Sequence, residues 1–225
     1  MRRPGEAQPL IIAIDGPAGA GKSSVSRRLA ERLGVPFIDS GMFYRAVTLL
    51  ADEEQLESAD ADGLVAIASR PGLRIVRERI LMNDRDLTDL IHRPEINERL
   101  SAVAQVPQLR DAINARQRQL AASGAVVAGR DIGTVVFPET AHKFFLTAGL
   151  AERVRRRLAQ ITRRGEIADA DAMEREVAAR DLADSTRAVA PLRPAPDAVV
   201  IETDGLALEE VVGRILNLVK AGPAR

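Results

Sequence analysis

Ile11-Ile12-Ala13-Ile14-Asp15-Gly16-Pro17-Ala18-Gly19-Ala20-Gly21-Lys22-Ser23-Ser24 decides the fold of this 225-residue chain. Four apolar residues suited to a buried parallel strand lead into Gly16-x-x-x-x-Gly21-Lys22-Ser23. Val25, Leu29 and Leu33 then recur at helical spacing, with Arg27, Arg28, Glu31 and Arg32 between them. A strand, a glycine-rich turn and a helix in this order make a P-loop, whose backbone N–H groups cradle phosphates at the helix N-terminus. The eight-residue pattern recurs by chance in unrelated chains; here the flanking strand and helix that it requires are present. A glycine-rich turn without a ligand has no use for Lys22 and Ser23. Lys22 is expected to reach the β/γ-phosphates, and the Ser23 hydroxyl to bind Mg²⁺. Gly16, Pro17, Ala18, Gly19, Ala20, Gly21, Lys22, Ser23 and Ser24 are the candidate triphosphate-binding residues.

Outward from this unit the pattern alternates strand and helix, as in a parallel sheet covered on both faces. Val35–Asp39 reads as a second strand and about Met42–Asp52 as a helix. Ala125–Ala128, Lys143–Thr147 and Ala198–Ile201 read as further strands, with a helix over about Leu208–Lys220. The expected fold is α/β, a three-layer P-loop fold with a five-stranded parallel sheet. Between about Leu56 and Val106 the rhythm breaks. Leu73–Val76, Arg79–Met82 and Asp86–Thr88, with a turn at Asn83-Asp84, predict a small inserted antiparallel sheet. Asp62–Arg70 and Pro94–Ala104 predict its helical flanks. Pro191–Pro196 is a rigid connector into the last strand. One domain over residues 1–225 is expected: a core from 10–55, 106–150 and 195–221, an insert at 56–105 and a helical region at 151–190.

Composition narrows the function classes. The 32 basic and 32 acidic side chains balance, which argues against a nucleic acid as main partner. No cysteine is present, so disulfides and thiolate metal sites are excluded. The two histidines lie far apart in sequence, which disfavours a zinc site. The charged start, Met1–Glu6, resembles a signal n-region, but the apolar run after it is short and enters the P-loop. No stretch approaches a membrane span of about 20 apolar residues. A soluble, cytoplasmic, monomeric protein is expected. Only Lys22, Lys143 and Lys220 are lysines, so arginine is the default cation and weaker evidence for a site.

The acceptor half of the site has to be read elsewhere. Asp39-Ser40-Gly41-Met42-Phe43-Tyr44-Arg45 falls at the carboxyl end of the second strand, where open α/β sheets bind ligands. Ser40 either caps the next helix or meets a ligand; Arg45 either clamps a second phosphate or forms a surface ion pair. Gly129-Arg130-Asp131-Ile132-Gly133-Thr134 follows the third strand and offers a guanidinium and a carboxylate, suited to a phosphate and a polar base. Its alternative is a turn with a local ion pair. Leu150, Val154, Leu158 and Ile161 form a buried stripe, with Arg153, Arg156 and Arg157 on one flank. These arginines either stabilise charge in phosphoryl transfer or form a solvated basic face. Arg180, Asp184 and Arg187 share a helical face if that helix persists to Arg187. They bind ribose, phosphate or base, or make an ordinary ion pair.

Ile14–Ser23, Asp39–Arg45, Gly129–Pro138 and Asp184–Leu192 together resemble bacterial cytidylate kinases, and the resemblance runs from about residue 10 to 220. The third and fourth motifs are specific to that family; the P-loop is not. The resemblance implies transfer of the ATP γ-phosphoryl group to CMP or dCMP with Mg²⁺, a monophosphate-binding insert and a closing lid. By resemblance, the P-loop around Lys22 binds ATP, while Arg45 and Arg130 hold the acceptor phosphate. Ser40 lies near the acceptor sugar and phosphate. Ser101, Arg110, Asp131 and Arg187 read cytosine, Arg180 and Asp184 surround the ribose, and Arg153, Arg156 and Arg157 belong to the lid. Ser24 stands where many members have threonine.

Cytosine recognition also has a physical basis. Asp131 can accept from the N4 amino group. Arg110 or Arg187 can donate to N3 and O2. Uracil inverts the pattern at N3 and position 4, setting an acceptor against Asp131 and a donor against an arginine. The rivals are a kinase for UMP, AMP or shikimate, a nucleotide-dependent switch or motor, and a nucleic-acid-binding module. A switch predicts Asn-Lys-x-Asp or an acidic run after an apolar strand, and neither occurs.

Overall fold

The computed structural model describes residues 9–222 apart from 77, 164 and 166; the charged start Met1–Glu6 lies outside the described residues. The P-loop unit is β1 (Ile11–Asp15) and α1 (Lys22–Leu33), followed by β2 (Phe37–Asp39) and α2 (Ser40–Glu53). The insert holds α3 (Ala61–Ala68), β3 (Leu73–Val76), β4 (Arg79–Met82), β5 (Arg85–Asp86) and α4 (Pro94–Val103). The chain returns through α5 (Pro107–Leu120), β6 (Ala125–Ala128), a π-helical turn at Ile132–Val136, and β7 (His142–Thr147). It ends with α6 (Leu150–Arg163), α7 (Ala170–Thr186), β8 (Val199–Glu202) and α8 (Leu208–Ala221).

The main sheet has five parallel strands in the order β2-β6-β1-β7-β8, as the alternating pattern predicts. β1 is central and both its faces are buried. Ile12 and Ile14 pack with Leu29 of α1 and Val212 and Ile215 of α8, while Ala13 faces the opposite cluster with Phe43 of α2 and Ile113 of α5. Burial on both faces explains why the strands read as continuous apolar runs. The insert is not a separate globule: Leu64, Ile67, Leu73, Ile80 and Ile91 belong to the same core cluster as Ala13, Ile38 and Val127.

The insert sheet has the order β3-β4-β5, antiparallel throughout. Its third strand is Arg85–Asp86 rather than the expected Asp86–Thr88. The Asn83-Asp84 turn pairs Met82 with Arg85 and Leu81 with Asp86. The Thr88 hydroxyl then leaves the ladder, donating to Asp86 at 2.6 Å and accepting from the Ile80 N–H at 3.1 Å. Helix α7 stops at Thr186, so Arg187 does not continue the helical face of Arg180 and Asp184. Ser185 and Thr186 turn their hydroxyls back on the Asp181 and Leu182 carbonyls, and Arg187 is extended at ψ 143°. Among the described residues no helix is long and apolar enough to cross a membrane.

Candidate active site

The loop between β1 and α1 turns where two glycines permit it. At Gly16, φ is 145° and an added Cβ would lie 2.0 Å from the Leu146 carbonyl oxygen. At Gly19, φ is 79° and the Cβ would lie 2.9 Å from that of Arg153 on α6. Lys22 opens α1, is buried, and donates to the Pro17 carbonyl at 2.7 Å, within the loop itself. Burial, and then the nearby Arg130 guanidinium, hold its ammonium pKa well below the usual lysine range. An ammonium in this state gains from a neighbouring anion.

Asp39 caps α2, accepting from the Gly41 N–H at 2.9 Å, so the cap is Asp39 and Ser40 is the first helical residue. The other Asp39 carboxylate oxygen accepts from the Ser23 hydroxyl at 2.7 Å. A hydroxyl and a carboxylate thus adjoin at the start of α1. Ser24 is exposed beside them. Ser40 is buried and packs toward Gly129, whose added Cβ would lie 3.3 Å from the Ser40 Cβ.

Past β6, Arg130 donates to Asp184 of α7 at 2.9 Å, and Asp131 pairs with Arg110 of α5 at 2.5 Å. The Arg110–Asp131 pair is almost fully buried, and Arg110 also donates to the Ala104 carbonyl at 2.9 Å. Arg187 approaches both Asp131 at 3.9 Å and Asp184 at 3.6 Å, with its Nε on the Ala190 carbonyl. Leaving the helix is what lets Arg187 turn back between these two carboxylates. Arg180 donates to Asp184 at 3.2 Å and to the Ser101 hydroxyl at 3.1 Å. Burial opposes ionisation of Asp184, but Arg130, Arg180 and Arg187 outweigh it and hold the carboxyl below the usual range.

Arg45 reaches across to the insert, donating to Asn97 at 2.5 Å and the Ile91 carbonyl at 3.4 Å. Burial, then repulsion from Arg180, Arg157 and Arg130, push its pKa down to about 10. Arg45, Arg130, Arg157 and Arg180 therefore crowd one cleft. The three arginines on α6 diverge. Arg153 meets Asp181 at 2.5 Å and the Ala18 carbonyl of the P-loop at 3.1 Å. Arg156 donates to the Thr203 hydroxyl and carbonyl at 2.9 and 2.6 Å. Arg157 faces the cleft and touches Glu176 at 3.4 Å.

The structure thus gathers Ser40, Ser101, Arg110, Arg130, Asp131, Arg180, Asp184 and Arg187 around one cleft, with Arg45 and Arg157 at its cationic side and the P-loop beside it. Sequence reasoning missed Asp39, Tyr44 and Asp15. Tyr44 is buried under Arg110, 5.4 Å from guanidinium to ring centroid, and its hydroxyl has no hydrogen-bond partner. The cleft offers a phosphate loop, a cationic wall and a buried donor–acceptor set on its floor.

Comparison with known proteins agrees with this geometry. A family model described as cytidylate kinase matches residues 12–221. A cytidylate kinase of Carboxydothermus hydrogenoformans is 44% identical over 213 residues, covering 92% of this chain and 96% of that protein. One from Desulforamulus reducens is 42% identical, covering 94% and 97%. The solved structure of TT1252 from Thermus thermophilus superposes with a TM-score of 0.50 at 22% identity, covering 96% and 98%, and shows the shared fold. The chain belongs to the cytidylate kinase family.

Proposed function

We propose that the protein transfers the γ-phosphoryl group of ATP to CMP or dCMP, giving ADP and the nucleoside diphosphate. The observation that carries this reading is the cleft itself: Arg180, Arg157 and Arg130 repel Arg45, Arg130 also bears on Lys22 of the P-loop, and Asp131 stands between Arg110 and Arg187. Asp184 pairs with Arg130 and Arg180, and Glu176 with Arg157, whereas Arg45 meets only neutral acceptors. Phosphoryl transfer needs charge stabilisation more than covalent chemistry.

In this mechanism the loop amides and Lys22 bind the ATP phosphates. Lys22 exchanges its Pro17 carbonyl for phosphate oxygen. Arg45 and Arg130 hold the CMP phosphate, Arg180 and Asp184 meet the ribose near Ser40, and Ser101 belongs with the cytosine-reading set. Asp131 accepts from cytosine N4, while Arg110 and Arg187 donate to N3 and O2. Arg153, Arg156 and Arg157 bring α6 over the P-loop and exclude water from the transfer. Transfer is direct and in line: the chain has no cysteine, and neither histidine lies in a phosphate-binding motif.

Ser23 and Asp39 fit Mg²⁺, because this ion takes one or two protein oxygens and completes its shell with phosphates and water. Bound there, it would neutralise charge on the ATP phosphates. No cluster of three or more carboxylate, histidine or cysteine side chains able to hold a metal exists among the described residues. The balanced charge supports small-molecule partners over nucleic acid, and we place the enzyme in the cytoplasm as a monomer.

The test is ADP formation with CMP, dCMP, UMP, AMP or shikimate as acceptor. Two mismatched buried groups at about 1–3 kcal/mol each correspond to at least about thirtyfold preference for cytosine over uracil. Equal or faster turnover of UMP, AMP or shikimate refutes the reading. ATP hydrolysis that ignores CMP supports a switch instead.

A further inference from the structure

Asp15 has no part in the chemistry just described, yet it is among the most constrained groups near the cleft. It ends β1, directly before Gly16, and is buried. One carboxylate oxygen accepts from the Ile132 N–H at 2.8 Å and the other from the Gly133 N–H at 2.7 Å. These two amides open the π-helical turn, immediately after Arg130 and Asp131. The turn is held from its other side as well. A Cβ on Gly133 would lie 3.2 Å from the aliphatic stem of Lys143 on β7 and 3.4 Å from Asp15. The Lys143 ammonium is engaged elsewhere, by the Pro138 carbonyl at 2.7 Å and Asp197 at 2.7 Å. The charged groups that face Asp15 are Lys22 from α1 and Asp131 from the loop after β6. Among the described residues no side-chain cation pairs with Asp15 directly; its charge rests on two backbone amides.

We propose that Asp15 is a positioning residue: its carboxylate, by holding the Ile132 and Gly133 amides, fixes Arg130 and Asp131 against the P-loop and so sets acceptor affinity and base discrimination. This rests on the assignment of Arg130 and Asp131 to the acceptor. The two bonds require both oxygens to accept. Protonation removes the charge and makes one oxygen a weaker, neutral acceptor that also carries a donor, which loosens one side of the clamp. Burial, reinforced by the Asp131 charge, lifts Asp15 to about pH 6 against the opposing pull of the two amides and Lys22. The carboxylate form prevails above that value, so acceptor binding is strongest well above pH 6 and weakens as pH falls through it. Ionising Asp15 also costs the folded state, because its folded value lies above the ordinary one.

The experiment measures KM for CMP, UMP and ATP in wild type and Asp15→Asn at pH 8 and pH 5.5. Comparing the two proteins at each pH cancels titration of the CMP phosphate, whose second pKa is about 6. At pH 8 the variant is expected to raise KM for CMP about tenfold, lower the CMP/UMP preference and raise KM for ATP less than that for CMP. At pH 5.5 the gap between the two proteins should narrow, because wild-type Asp15 is then mostly protonated. An unchanged KM for CMP at pH 8, an equal rise for ATP, or a ratio independent of pH overturns the proposal. If Asp15→Asn does not fold, the wild type decides: calorimetry with cytidine, which carries no phosphate, should show weaker binding at pH 5.5 than at pH 8. Constant affinity overturns the proposal. Asp131→Ala separates the two levels. Undiminished CMP/UMP preference in that variant overturns the acceptor assignment; lost preference there with full preference in Asp15→Asn overturns only the role of Asp15.

Discussion

Replacing Asp131 tests the acceptor assignment most directly. Its carboxylate is almost fully buried, faces Arg110 at 2.5 Å and Arg187 at 3.9 Å, and is assigned to the N4 amino group of cytosine. A hydrogen bond to a charged group contributes about 1.5–3 kcal/mol, so Asp131→Ala should lower kcat/KM for CMP about 10- to 160-fold. UMP should lose nothing at this position, because its O4 carbonyl no longer meets a carboxylate. The CMP/UMP preference should fall by the same factor. The substitution also leaves Arg110 without its buried partner, at about 3–5 kcal/mol of stability. Asp131→Asn carries the same test with less loss of packing: its amide can donate to uracil O4, so UMP should improve while CMP declines. The assay is initial-rate ADP formation at several acceptor concentrations, with circular dichroism to establish folding. A parental CMP/UMP ratio in both folded variants would refute the reasoning.

Lys22→Ala should lower kcat about a hundred- to thousandfold, the usual effect of removing one preorganised electrostatic group, without changing the circular dichroism spectrum. Gly19→Ala places a side chain at positive φ and against Arg153, at about 1–2 kcal/mol for the backbone alone; thermal melts should shift down and KM for ATP should rise severalfold. Asp184→Asn should destabilise the protein at neutral pH by about 3–5 kcal/mol, read from urea midpoints. Because the folded pKa of Asp184 is depressed, its contribution is fully present above the unfolded value of about 3.9 and is lost as pH falls below it. The gap between the two proteins should therefore hold from pH 7 to about pH 5 and narrow only under stronger acid.

The parallel sheet was legible because its strands are buried on both faces and leave unbroken apolar runs. Arg130 stood out because it follows a glycine at the end of a strand and precedes a carboxylate, whereas Arg110 entered only through the family resemblance. Hydroxyl chemistry was harder to read. Ser40 looked like the cap of α2, but the carboxylate of Asp39 competes better for the Gly41 N–H. Ser185 and Thr186 end α7 by bonding back to carbonyls, a local effect that helical spacing does not register. The π-helical turn left no periodic trace, since it follows from tertiary bonds to Asp15. That residue did leave one usable signal. An aspartate closing an apolar strand must be buried, and a buried carboxylate needs donors. Tyr44 gave no such sign, because an aromatic residue on the inner face of a helix looks like ordinary core.

The apolar interior is divided unevenly across the cleft. The insert shares its cluster with the central sheet, so Leu64, Leu73 and Ile80 can be exposed only by disrupting Ala13 and Val127 as well. Helices α6 and α7 bury just Val154, Met173 and Val177 between them, with a few half-covered neighbours. The two sides therefore belong to different cooperative units. Amide hydrogens of α6 and α7 should exchange through an opening local to that pair, while those of α3 and α5 wait for global unfolding. One wall of the cleft is as durable as the whole protein; the other lasts only as long as three side chains and their tethering ion pairs hold.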